Sequence, residues 1–189
     1  MTVALPTGAQ PGELLLAQIA IRGGSALTIA APGGWALVRR DNSGTAIAQA
    51  IYTHIVQASP AEPTQYSWTF NAGNNATAAI ADYLGATAAS PVDVSNGLKQ
   101  SAATAIAAPP VVIPAASGKD RLIACFATAG GVAPVTPAGT TQEWSFRAVS
   151  YGIGMAMADV AVQPAGATPV ETAMTSTAYG AAAAQVALH

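Results

Sequence analysis

The sequence predicts an all-β protein, a jelly-roll-like or Greek-key β-sandwich made of two internally duplicated strand units. Three observations predict it. Segments of strand length recur between clusters of Gly, Pro, Asn and Ser; side chains alternate with the two-residue period of a half-buried strand; and a run of identities holds one register between the two halves of the chain.

Taken in order, residues 14–22 form the first apolar segment of strand length. Residues 34–40 follow, joined to 45–57 through Asp41-Asn42-Ser43-Gly44, a polar turn whose Asn and Gly accept positive φ. Within 45–57, Ile47, Ile51 and Ile55 share one face. The clearest alternation is Tyr66, Trp68 and Phe70 against Ser67 and Thr69, one face aromatic and the other hydroxylic, which places Trp68 in the core. Residues 76–84, 121–129, 141–147, 151–162, 171–177 and 181–188 complete the set. Helix competes at 76–81 and 181–185, where alanine is dense.

The duplication decides between these readings. Val3-Ala4-Leu5-Pro6 lines up with Val111-Val112-Ile113-Pro114, and Leu15, Ala17 and Ala20 with Leu122, Ala124 and Ala127. Pro32 and Gly34 then match Pro137 and Gly139, Ile47 and Ala50 match Ile153 and Ala156, Val56-Gln57 matches Val162-Gln163, and Leu84 matches Leu188. The expected organisation is one sandwich domain over 1–189, with copies at about 3–84 and 111–188 and a connection at 85–110 that turns at Ser90-Pro91 and Ser95-Asn96-Gly97. Alone, each copy leaves a sheet face uncovered; packing the copies together or interleaving their strands closes a core.

Composition narrows function. Charged residues make up 8% of the chain, against about 25% in ordinary soluble proteins, so subunits of the same or another kind are expected to cover part of the surface, in a homo-oligomer or larger assembly. The 51% apolar content excludes disorder. Seven scattered basic residues give no stripe for a phosphate backbone, so no nucleic acid is expected. No signal peptide is visible at Met1 to Pro6, and no apolar run suits membrane insertion by a helix. Cys125, within an apolar strand, reads as a small buried hydrophobe and has no partner for an intrachain disulfide.

Catalysis needs a nucleophile beside a base, paired carboxylates or a metal cage, and the acids are scattered singly. His54 and His189 are the two histidines; His54 reads as an ordinary strand residue, and His189 sits at a position where chains commonly fray. No catalytic residue, cofactor or metal site is therefore expected. Asp41 to Gly44 and Asp93 to Gly97 read as turns rather than calcium loops. Trp35 and Trp144 are the candidate contact residues, since exposed tryptophan stacks on sugar rings and anchors interfaces; each either makes contacts or plugs one end of the sandwich.

One resemblance rests on Pro11-Gly12-Glu13-Leu14-Leu15-Leu16-Ala17, Pro32-Gly33-Gly34-Trp35 with Leu37-Val38-Arg39-Arg40, Ile51-Tyr52, Glu62-Pro63 with Tyr66-Ser67-Trp68-Thr69-Phe70, and Ser90-Pro91-Val92-Asp93. With these motifs the chain resembles β-sandwich modules of bacteriophage particles and phage-derived bacterial proteins. The resemblance implies a non-enzymatic virion protein, a head decoration or a tail fibre or baseplate component, whose partners are other virion proteins and copies of itself. The alternative is a lectin-like adhesion module that recognises host surface glycans through Trp35 or Trp144.

Overall fold

A computed structural model describes residues 1–189. In the first half the strands are β1 (Thr2–Ala4), β2 (Leu14–Arg22), β3 (Ile29–Ala30), β4 (Ala36–Ser43), β5 (Ile47–Ile55), β6 (Gln65–Ser67), β7 (Thr69–Phe70) and β8 (Ala76–Tyr83). They are followed by β9 (Val92–Ala108), β10 (Val112–Ile113), β11 (Lys119–Thr128), β12 (Thr141–Ala148), β13 (Ile153–Pro164), β14 (Gly166–Ala167) and β15 (Glu171–Leu188). Two single 3-10 turns, Gly24–Ala26 and Val149–Tyr151, are the sole helical segments, and no helix is long and apolar enough to cross a membrane. The alanine-dense stretches are strands, held in antiparallel ladders by β2 and β11 respectively.

Two antiparallel sheets carry the fold, one ordered β4-β5-β2-β8 and the other β12-β13-β11-β15-β9. Strand order repeats between them, with β12, β13, β11 and β15 standing where β4, β5, β2 and β8 stand. The small pairings repeat too: β1 with β6 answers β10 with β14, and β3 with β7 answers the single bridge between Val135 and Met174. Each half makes its own sheet, so the halves lie face to face rather than interleaved.

Between the sheets, Leu14, Leu16, Ile51, Ala81 and Tyr83 pack against Ile123, Cys125, Met157, Ala184, Val186 and Leu188. Each sheet is also covered on its outer side. Leu15, Ala17 and Ile19 point out from β2 beneath Trp35, Tyr66 and Trp68, while Ala124 and Phe126 point out from β11 beneath Ile106 and Ala173. Residues 14–21 are consequently all buried, as are 122–128. A strand enclosed on both faces has no polar side to show, which explains the unbroken Leu-Leu-Leu-Ala-Gln-Ile-Ala-Ile run.

Three local features depart from the sequence expectations. The Ser95-Asn96-Gly97 turn is instead part of β9, where Ser95, Asn96 and Gly97 pair with Val186, Gln185 and Ala184. The free edge of β15 supplies these residues with a ladder, and Gly97 fits because a Cβ there would collide with the Arg39 guanidinium and the Asp41 carboxylate. Residues 171–177 and 181–188 form one strand, β15, whose register slips around Tyr179 so that its first part, with the end of β9, covers its own sheet. Finally, the turn after β4 is shifted to Gly44-Thr45-Ala46, with Asp41, Asn42 and Ser43 still in the ladder.

Candidate functional site

The most elaborate cleft lies at the end of β5. His54 is the eighth residue of that strand, and the loop between β5 and β6 brings Glu62 back against it. His54 Nε2 stands 2.9 Å from Glu62 Oε1, and Nδ1 donates to the Gly34 carbonyl at 2.9 Å. Glu62 also accepts from the Gln57 amide at 2.6 Å and from the Tyr66 hydroxyl. Trp35 stacks on the imidazole with ring centroids 5.3 Å apart, and meets Tyr66 and Trp68 edge-on at 5.0 and 5.1 Å. Gly34, at φ +84°, permits this packing, since a Cβ would sit 2.9 Å from His54 Cε1. His54 is a strand residue as read from the sequence, but it is buried rather than at the surface, and its carboxylate partner is eight residues away in sequence.

Burial pushes the Glu62 carboxyl up, but hydrogen bonds from Tyr66, Gln57 and His54 outweigh it and hold the group below its ordinary value. Burial and the same carboxylate drive the Tyr66 phenol upward. Both nitrogens of His54 are committed to protein oxygens, so neither is free to take a proton from a nucleophile or substrate. The adjoining cleft, about 470 Å³, is lined by His54, Glu62 and Tyr66 together with Pro32, Gln57 and Pro60 among others, and the surface it offers an incoming molecule is mostly apolar.

A second polar group crosses between the sheets. Gln18 donates to Gln49 Oε1 at 2.8 Å and to the Phe126 and Ala156 carbonyls at 3.0 and 3.2 Å, while accepting from Trp144 Nε1 at 2.8 Å. Of the two outcomes open to Trp144, its indole nitrogen is turned inward, where it ties the edge strand β12 to the centre of the opposite sheet. Trp35 is 8% exposed and packed against His54, Tyr66 and Trp68, whereas Trp144 is half-buried. Cys125 is fully buried, and burial pushes its thiol up, away from thiolate chemistry.

The third group is at the far end of the second sheet, where Asp93, Asp120 and His189 converge with donor atoms all within 4.8 Å of one another. His189 is not frayed: its carbonyl accepts the Thr87 amide at 2.6 Å and its own amide donates to Pro91 at 3.2 Å. Sequence reasoning missed this cluster because its members are scattered along the chain and no spacing motif links them; the strand register alone brings them together.

The chain matches no protein-family model, and neither a curated protein nor a solved structure is significantly similar to it.

Proposed function

We propose that this chain is a non-enzymatic structural protein of a bacteriophage particle, a head decoration or tail component held by contacts with other virion proteins and with copies of itself. The observation that carries the assembly role is a thinly charged exterior with large apolar side chains left outside. Leu37, Leu84, Val112, Val135, Val149 and Val170 are each more than half exposed, in a chain whose charged residues total 8%. Burying such groups against neighbours contributes about 25 cal/mol per Å² of apolar surface. The phage setting is what the sequence resemblance implies. The commitment of both His54 nitrogens to internal partners supports a role without catalysis. A glycan-binding role would need an aromatic face open to sugar; Trp35 is packed against His54, Tyr66 and Trp68, which leaves the half-buried Trp144 as the one ring that could serve it.

The test is quantitative mass spectrometry of purified particles from the source genome's phage or prophage. A fixed number of copies per particle is the expected result. Presence in the lysate together with absence from the particles overturns the proposal.

A further inference from the structure

Among the groups that this function does not use, the Asp93, Asp120 and His189 cluster is the one whose geometry points beyond itself. Asp93 comes from β9, Asp120 from β11 and His189 from the residue after β15, three stretches that meet at one end of the second sheet. His189 Nδ1 lies 3.3 Å from Asp120 Oδ1 and 3.9 Å from Asp93 Oδ2. The Asp120 side chain is 0% exposed, yet its Oδ2 has no hydrogen-bond partner, and neither has Asp93 Oδ2. Buried carboxylate oxygens without partners cost folding free energy, and two facing carboxylates repel.

Two things relieve that arrangement, a proton shared between the carboxyls or a cation held by all three side chains. The position of the imidazole favours the cation. Four ligands at metal distances of about 2.0–2.1 Å in tetrahedral array stand roughly 3.3–3.4 Å apart; His189 Nδ1 and Asp120 Oδ1 already have that spacing, and Asp93 Oδ2, 3.9 Å from the same nitrogen, has only a short way to move in. A shared proton satisfies the two carboxyls alone, whereas an ion takes the imidazole nitrogen as well, in place of its 3.3 Å hydrogen bond to Asp120 Oδ1.

We propose that Asp93, Asp120 and His189 form a binding site for a divalent first-row transition ion of the zinc type, with the fourth position open to solvent beside His189. Calcium and magnesium prefer all-oxygen sets, so the nitrogen selects against them. The ion fastens the edge strand β9 to β11 and to the end of β15, a structural staple across three separate stretches of chain. The backbone bonds of His189 to Thr87 and Pro91 hold the main chain that carries the imidazole at this end of the sheet.

The experiment uses the untagged full chain, stripped with a chelator, dialysed and titrated with zinc chloride by isothermal calorimetry, with magnesium and calcium chloride run in parallel. One zinc per chain is expected, with weak or no response to the other two. Asp120→Asn and His189→Ala should each weaken zinc by more than about tenfold. Zinc should raise the Tm of the wild type and leave that of His189→Ala unmoved. The partly exposed His189 makes its replacement compatible with folding, which circular dichroism checks, so this variant decides the matter even if Asp120→Asn misfolds. Absence of zinc binding by the folded wild type, or unchanged binding by folded His189→Ala, overturns the site and leaves the shared proton as the explanation.

Discussion

Glu62 holds the aromatic cleft together, because one carboxylate collects the Tyr66 hydroxyl, the Gln57 amide and the His54 imidazole. Its folded pKa is below the ordinary value near 4.5, so the ionised form is the one that folding prefers. The stability it contributes is fully present above that ordinary value and is lost as pH falls through the lower folded value. Glu62→Gln should therefore cost about 2 kcal/mol at pH 7, with the gap to wild type closing below about pH 4; urea denaturation across that range measures it, and a constant gap refutes it. The aromatic side of this cluster was legible, since the alternation of Tyr66, Trp68 and Phe70 already places Trp68 inside, and it is 0% exposed. The His54 to Glu62 contact was not, because a loop between strands carries no period from which its return path can be read. Gln18 was equally hidden: a single amide within an apolar run does not reveal that it will meet Trp144, 126 residues on.

At the scale of elements, the duplication could be read to within a residue, and the residual error has a physical cause. Paired to the central strand, Tyr83 opposite Leu14 occupies the place of Leu188 opposite Arg121, whereas sequence identity aligns Leu84 with Leu188. Leu84 is 85% exposed and Leu188 4%, so identity followed the letter and burial follows the pleat. A bulge in β13 produces a similar slip. Leu122 pairs with Ala161 and Ile123 with Asp159, which leaves Val160 as the extra residue and shifts Val162 out of step with Val56. Ala161 next to it adopts φ 100°, a conformation that L side chains resist. Ala161→Gly should stabilise the protein by about 1 kcal/mol, relief of strain exceeding the added freedom of the unfolded chain; a lower midpoint in chemical denaturation would contradict it. Ser, Asn and Gly clusters signal turns locally and so mask β9, a strand that the distant free edge of β15 recruits.

For the molecule as a whole, the inner faces of the two sheets form one interior, with Leu14, Leu16 and Ile51 meeting Ile123, Met157 and Val186. Each such side chain is worth about 1.5–3 kcal/mol when buried, so separating the halves removes an amount as large as a domain's usual net stability of about 5–15 kcal/mol. Fragments 1–90 and 91–189 expressed apart should give aggregated or non-cooperative chains by circular dichroism and sedimentation; a monomeric fragment with a sharp melting transition would show that the interior is not shared. The enclosure of β2 and β11 on both faces has one last consequence. The runs 14–21 and 122–128 have no outward position to vary when a surface must adapt to a changing neighbour, so any divergence of recognition among descendants of this chain is confined to its loops and rims, while these two central runs stay constant.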